Sequence, residues 1–446
     1  MLNPLYTAEE MRSAEAGHDV PTLMQRAGEA VARETMRAFP AARRFTAVCG
    51  GGANGGDGRI AAEVLRGAGR EVLVVDAKAG ETELGSPEVV VDALFGTGFK
   101  GPPRVDSAAL IDGINGLGVP VVSVDLPSGV DSDTGETAGA AVRASLTVTM
   151  HGPKVGLYVA PGRFLAGEIV VADIGLEHTE TRNRLVARDV LRLVPRKRTQ
   201  DNKYTAGAVL VVGGAPGLTG AVSLTVEAAF RADAGYVTVC APREALPVLE
   251  VRLLEAVKRP LEEVFDAAGR MGAMAIGPGL GRGDERRTLV RRLLEEVPLP
   301  AVVDADGLFA LEPFEREAAT VLTPHAGELA RLLGRDSEWV GAHRLAALDE
   351  AVARFRCVVL LKGPDTLIGA PDESVLVRPV STPALATAGT GDVLTGILAA
   401  FLAKGLEPRL AAAAAATAHA LAATHVTHKV GMVASDVISH LPAVLD

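Results

Sequence analysis

Ala388-Gly389-Thr390-Gly391-Asp392-Val393-Leu394-Thr395-Gly396 is the stretch whose reading decides the fold. Residues 393–402 are apolar and helix-like, so the glycines stand at the mouth of a helix. Gly389 and Gly391 permit backbone angles closed to other residues and leave room for a ligand against the main chain. The first N–H groups of such a helix lack carbonyl partners and form an anion site. Asp392 stands at that point. Its carboxylate either caps the helix or acts as a base beside a bound phosphate, ready to take a proton from a hydroxyl nucleophile. The stretch by itself leaves both open.

Working outward, residues 208–212, 236–241, 273–276, 301–304, 319–322 and 358–362 are apolar runs of strand length. Residues 221–233 are helix-like, and the alanine-rich 410–426 reads as a tightly packed internal helix. Glycine- and polar-rich loops follow the strands. They include Gly277-Pro278-Gly279-Leu280-Gly281, Thr323-Pro324-His325-Ala326-Gly327-Glu328 and Lys362-Gly363-Pro364-Asp365-Thr366. The last offers a cation, a tight turn and a hydroxyl, which suits a nucleotide phosphate or a plain surface turn.

The N-terminal half repeats the style. A helix is expected over 8–38, capped by Thr7. Strands are expected at 45–49, 71–76, 89–93, 119–125, 145–150 and 168–173, and helices at 59–68 and 107–116. Residues 50–58 read as a glycine loop. Continuous Val/Ile runs alternating with helices imply mostly parallel sheets covered on both faces. Residues 195–203 are polar and basic and read as a solvated connector, dividing the chain into domains 1–195 and 196–446. The fold class is therefore α/β, with two three-layer α/β/α domains.

The bulk numbers exclude several partners. The 446 residues are 48% hydrophobic and 22% charged, enough for two cores. A net charge of −10 argues against nucleic acid or an anionic membrane. The three cysteines, Cys49, Cys240 and Cys357, lie in or beside strand-like runs, as buried free thiols of a reducing compartment do. With no secretion signal in residues 1–11, the expected location is cytoplasmic.

Gly50-Gly51-Gly52-Ala53-Asn54-Gly55 fits the G-x-G-x-x-G pattern between a strand and a helix, and Asp76 ends the next strand. Alone this is a dinucleotide-binding fingerprint, with Asp76 on a ribose, or a tight packing turn. Three loops sharpen it: Gly55-Gly56-Asp57-Gly58, Asp92 to Gly101, and Asp125-Leu126-Pro127-Ser128-Gly129. In an open parallel sheet the carboxyl ends of the strands converge on one crevice. Asn54, Asp92, Asp125 and Ser128 then form a cluster of hard oxygen donors suited to an alkali or alkaline-earth cation.

These motifs, with Leu23-Met24-Gln25-Arg26-Ala27-Gly28, resemble the epimerase domain of the NAD(P)HX repair enzymes, the YjeF N-terminal family, over roughly the first 190 residues. Such enzymes interconvert the two epimers of hydrated NADH or NADPH, termed NADHX and NADPHX, at the hydroxyl-bearing carbon. The resemblance implies a Rossmann-like domain in which Asn54, Asp92 and Ser128 hold K+. It places Ala53-Asn54-Gly55-Gly56-Asp57, Gly96-Thr97-Gly98-Phe99-Lys100-Gly101-Pro102 and Asp125 against the dinucleotide, with Asp125 as proton carrier. Ala53 departs from the family's usual asparagine.

The second half, about 203–441, resembles the ribokinase-like NAD(P)HX dehydratases, the YjeF C-terminal family. Gly213-Gly214, residues 277–281, 323–328 and 386–394, and Lys362-Gly363 carry the likeness. It implies nucleotide-driven dehydration with Asp392 as base. Ala221, Gly279, Gly281, His325 and Asp392 would face the S epimer. Lys362, Gly363, Pro364, Asp365, Thr366 and Gly391 would face ADP, the phosphoryl donor, with Mg2+. The joint expectation is a bifunctional epimerase and ADP-dependent dehydratase, with a homo-oligomer as the family tendency. A kinase of a small alcohol or vitamin precursor with an N-terminal ligand-binding domain is the alternative. A dehydrogenase leaves Gly55-Gly56-Asp57-Gly58 and the oxygen cluster without a role, and a binding module does not need Asp392.

Overall fold

The Val/Ile runs become parallel strands. The computed structural model describes residues 1–379 and 382–446. The chain divides into two units: Pro4–Arg184 with Gly341–Arg344, and Met1–Asn3 with Leu185–Val340 and Leu345–Asp446. This division falls between Arg184 and Leu185, upstream of the basic segment 195–203, which lies within the second unit.

In the first unit the strands follow the order Glu71–Asp76, Arg44–Cys49, Val89–Ala93, Val121–Val124, Leu146–Met150, Glu168–Ala172, all parallel. Alternate residues serve opposite faces, as the strand period dictates. Ala47 and Cys49 join Leu23, Ala27 and Val31 of the helix Val20–Ala38, and Ala61, Ala62 and Leu65 of the helix Ala53–Gly67. Val48, between them, packs with Leu110, Ile111 and Ile114 of the helix Val105–Gly116. The domain is therefore three-layered and Rossmann-like.

Two sequence expectations need correction here. The helix expected over 8–38 is two, Ala8–Glu15 and Val20–Ala38. Gly17 takes φ +83° between them, and the Asp19 side chain caps the second by accepting from Thr22 N. The Thr7–Glu10 capping box on the first helix is as expected. The supposed glycine loop 50–58 ends early, because the helix begins at Ala53. Its glycines are packing residues: a Cβ on Gly55 would lie 1.9 Å from Gly50 O, and one on Gly58 2.4 Å from Ala93 Cβ. Absent side chains let the helix press onto the strand ends, and no side chain caps its first turn.

In the second unit the sheet runs Val257–Pro260, Tyr236–Ala241, Ala208–Val212, Ala273–Ile276, Ala301–Val303, Thr320–Leu322, Val358–Leu361, Asp365–Gly369, Leu376–Pro379. The last three are paired antiparallel and the others parallel. Asn183–Val186 and Leu2–Leu5 complete the sheet at the segments where the chain passes from one unit to the other. Val209 and Val211 face the core with the helices Thr219–Arg231, Thr390–Ala403 and Pro408–His425. Leu210 and Val212 face the helix Asp284–Glu296. The alanine-rich Pro408–His425 is buried along most of its length, as its composition implies. Among the described residues no helix is long and apolar enough to cross a membrane. The three cysteines are free and buried.

Candidate active sites

The carboxyl ends of the first sheet open on a cavity of about 720 Å³. From the glycine helix come Ala53, Asn54 and Asp57, and from the next loop Gly96-Thr97-Gly98-Phe99-Lys100 with Pro102. Asp125 also lines it, joined by Glu15 and Lys154, which sequence reasoning missed. Gly55, Gly56 and Gly101 do not line it. Gly55 abuts the Gly50 backbone, and Gly56 stands beside the Met24 sulfur. Asp76 is also elsewhere: its carboxylate accepts from Arg59 Nη2 at 2.9 Å and from Lys78 N at 2.9 Å. Phe95 and Phe99 stack at 4.6 Å, and Ser132 Oγ donates to Thr97 O, shaping the loop over the cavity.

Asp125 sits at the end of Val121–Val124 with φ +68°, a conformation that costs a non-glycine residue free energy. The turn aims its carboxylate at Lys154, whose Nζ lies 2.7 Å from Asp125 Oδ1. Thr149 Oγ1 donates to the same oxygen at 3.1 Å. Lys154 is 1% exposed and also donates to Thr149 Oγ1 and Met150 O. This is a buried ion pair at the wall of a ligand-sized cavity, with every hydrogen bond to the carboxylate made on Oδ1. Burial, and secondarily the Asp125 and Glu15 charges, push Asp57 up to about 8 against the pull of Lys154. Glu15 is raised too, by burial first.

The oxygen cluster lies beneath. Asp92 is fully buried, and burial pushes its carboxyl upward against its hydrogen bonds. It accepts from Ser128 Oγ, Ser128 N, Ser123 Oγ and Leu94 N. Asp92 and Ser128 are thus brought together. Asn54 stands against Gly96, with its buried Nδ2 making no hydrogen bond.

In the second unit the glycines of the opening stretch do what their position suggests. Gly389 takes φ +87° as the residue before the helix Thr390–Ala403, and no side chain caps that helix. Thr390 Oγ1 anchors the turn on Leu385 O and Thr387 O. Asp392 lies in the first helical turn but does not cap it. Its carboxyl is pushed up to about 7, first by burial and then by Asp304, with Lys362 opposing and Asp306 and Glu328 adding.

Lys362 follows Val358–Leu361 and meets this turn: a Cβ on Gly391 would lie 3.3 Å from its Nζ. Lys362 Nζ lies 2.7 Å from Asp304 Oδ1 and 3.9 Å from Glu328 Oε2. Thr395 Oγ1, one turn beyond Asp392, donates to Asp304 Oδ2 at 2.7 Å. Burial alone lowers Lys362, but Asp304 and Glu328 together hold it above the usual lysine range. Asp304 and Thr395 are the residues sequence reasoning left out.

The remaining candidates surround this cluster unevenly. Gly279 stands against Leu218 and Ala221 at the head of Thr219–Arg231, and Gly281 N donates to Asp306 Oδ2. His325 caps Ala326–Leu333, its Nδ1 accepting from Gly327 N and Glu328 N. Gly363 and Pro364 form the turn after Lys362. Asp365 and Thr366 are buried in the antiparallel strand Asp365–Gly369 that follows, opposite Pro379 and Arg378.

Comparison with known proteins gives matches to both halves. A family described as NAD(P)H-hydrate dehydratase matches residues 209–443. One described as YjeF-related protein N-terminus matches residues 20–86 and 75–156. The bifunctional NAD(P)H-hydrate repair enzyme Nnr of Moorella thermoacetica is 38% identical, covering 99% of this chain and 96% of its own. That of Coxiella burnetii is 35% identical, over 97% of this chain and 96% of its own. Among solved structures, the ADP/ATP-dependent NAD(P)H-hydrate dehydratase of Bacillus subtilis, co-crystallised with ATP/Mg2+, aligns with TM-score 0.54 and 27% identity. It covers 58% of this chain and 96% of its own.

Proposed function

The chain belongs to the family of bifunctional NAD(P)H-hydrate repair enzymes, and from that premise we propose how its two sites divide the work. The domain of about 1–195 epimerises NAD(P)HX, and that of about 196–446 dehydrates the S epimer to NAD(P)H at the expense of ADP, releasing AMP and phosphate.

In the second site Asp392 takes the proton of the substrate hydroxyl, whose oxygen then attacks the terminal phosphoryl group. The open N–H groups at the head of Thr390–Ala403 stabilise the transferring oxygens. The new phosphate ester leaves with its bonding electrons, assisted by the ring nitrogen lone pair. Loss of a proton from the neighbouring carbon then restores the ring double bond. Lys362 is held by Asp304, which Thr395 fixes in turn, and its ammonium meets the nucleotide phosphates. Mg2+ would neutralise the phosphates when bound. Asp304 and Glu328 are hard oxygen donors beside Lys362, although the described residues contain no ready-made cluster of three such ligands.

In the first site, Lys154 fixes the Asp125 carboxylate at the cavity wall, where it exchanges protons with the hydroxyl-bearing carbon's substituents. The side chains of Asn54, Asp92 and Ser128 carry the oxygen donors that K+ prefers. Asp92 already accepts four hydrogen bonds, so a cation on its side chain displaces at least one.

The observation that carries the reading is Asp392: a carboxylate raised to about 7, in the first turn of an uncapped helix, beside a half-buried lysine. The deciding experiment mixes the protein with both NADHX epimers and ADP, or ATP, and follows recovery of NADH absorbance. Consumption of both epimers is expected with ADP. No recovery with either nucleotide would overturn the reading.

A further inference from the structure

We propose that Asp57 is the general acid of the epimerisation, working with Asp125 as the base. The proposal rests on the first unit's assignment as an NAD(P)HX epimerase. It adds a role that neither the glycine motif nor the fold assigns.

The geometry is a charge inventory around one cavity. Asp57 enters from the glycine helix, Glu15 from the end of Ala8–Glu15, Asp125 from the end of Val121–Val124, and Lys154 from the turn after Leu146–Met150. The remaining charges, Lys100 and Arg104, belong to the loop over the cavity, and Lys100 is engaged by Asp133 and Asp131. Three carboxyl groups thus share one buried ammonium, and that ammonium is bonded to Asp125. Like charges crowded around one ammonium do not all ionise, and both unpaired members, Asp57 and Glu15, are pushed toward the protonated form, the less exposed Asp57 strongly. Burial first, then Asp125 and Glu15, hold Asp57 at about 8, so near neutrality it is a carboxylic acid facing the substrate space. A carboxyl that keeps its proton, in the same cavity as one bonded to an ammonium, supplies the two partners that acid and base catalysis needs.

The steps balance. The bond from the ring carbon to its hydroxyl breaks with both electrons going to oxygen. That oxygen takes the Asp57 proton and leaves as water. The ring nitrogen lone pair forms a carbon–nitrogen double bond, and the carbon becomes planar. Water then adds to the other face, the double-bond pair returns to nitrogen, and Asp125 takes the surplus proton. Transfer of that proton back to Asp57 through the wet cavity resets the site, and no oxidant or donor is consumed.

The test uses the full chain and chromatographically resolved epimers, with spontaneous exchange subtracted. In the wild type, kcat should fall about tenfold per pH unit above about pH 8, because the required acid is lost there. A wild-type profile that stays flat from about pH 7 to about pH 10 overturns the proposal whatever the variants do. Asp57→Asn should lower kcat by roughly 100-fold or more with KM little changed. Asp57→Glu should restore part of the rate together with the alkaline limb. An Asp57→Asn enzyme that keeps kcat within a few-fold, or loses only KM, would make Asp57 a binding residue and overturn the proposal. If Asp57→Asn fails to fold, the wild-type profile and Asp57→Glu decide. A wild type with no epimerisation above the spontaneous rate removes the underlying assignment instead, and this proposal with it.

Discussion

Both units place an aspartate and a lysine at the carboxyl ends of parallel strands, the lysine buried in the first and half-buried in the second, yet they wire them differently. In the first, Lys154 bonds directly to Asp125, the candidate base, at 2.7 Å. In the second, Lys362 bonds to Asp304, and Asp304 is also tied to Thr395. Asp392 is left without the lysine's hydrogen bond and is raised to about 7 by burial and by Asp304. A direct ion pair fixes where a carboxylate points and leaves proton storage to a neighbour, here Asp57. An indirect one leaves the base itself poised near neutrality. The difference follows the chemistry: epimerisation returns every atom it borrows, whereas dehydration must draw a proton from a poorly acidic hydroxyl while phosphate is transferred.

The largest expected effect breaks the second arrangement. Asp392→Asn keeps the shape of the first helical turn and removes the proton acceptor. Dehydration should fall by roughly 1,000-fold, within the range a general base contributes. Epimerisation, measured in the same preparation, should be unchanged. Equal loss of both activities would mean that the two sites do not work independently, or that the variant misfolds. A dehydration rate within tenfold of wild type would remove Asp392 as base.

Next in size is the break in the first arrangement. Lys154→Met leaves the Asp125 carboxylate buried with Thr149 but without its ammonium. Removing one partner of a buried ion pair typically costs about 3–5 kcal/mol. The unit carrying Lys154 should therefore unfold at lower denaturant, and epimerisation should be lost even where that unit remains folded. Unchanged stability would show that water replaces the ammonium at no cost, and that the pair is less desolvated than its exposure implies.

Lys154 also shows where sequence reading stopped. Asp92 and Asp125 were legible because each ends a Val-rich run, the position at which an open parallel sheet gathers its ligands. Lys154 stands after just such a run, behind His151-Gly152-Pro153, but a lone lysine beyond a Gly-Pro turn resembles a solvated residue. Glu15 was hidden by the break at Gly17, since a continuous helix over 8–38 gives no sign that the end of Ala8–Glu15 borders the cavity. The glycine helix was read as a loop because Gly55, Gly56 and Gly58 lower helix propensity, while close packing against Gly50, Met24 and Ala93 respectively favours them. Edge strand Val257–Pro260 escaped for the opposite reason: its lysine, arginine and proline suit an edge and look unlike a strand. Asp365 and Thr366 were expected in a turn, but their backbones open the strand Asp365–Gly369, whose pairing with Leu376–Pro379 the run 362–366 does not contain. Tertiary partners, which local pattern does not contain, decided each of these.

The smallest effect sharpens the comparison most, because it needs no mutation. Asp392 must be ionised to accept a proton, and its carboxyl is held at about 7. Dehydration at saturating substrate should therefore rise with pH through neutrality, by roughly tenfold between about pH 6 and about pH 8. Asp57 must be protonated to donate, so epimerisation should fall above about 8. One protein should then show two pH profiles of opposite slope, measured with the same substrate mixture. If dehydration were flat across neutrality, the burial and the Asp304 charge around Asp392 would be offset when nucleotide binds, through cations brought to the site. Nucleotide-free titration of Asp392 by difference infrared spectroscopy separates those cases. A carboxylate that titrates near 7 without nucleotide and lower with it would locate the retuning in the bound phosphates and their counter-ion. One that titrates in the ordinary carboxylate range in both would show that the desolvation by the Thr390–Ala403 turn and its neighbours is too weak to poise the base.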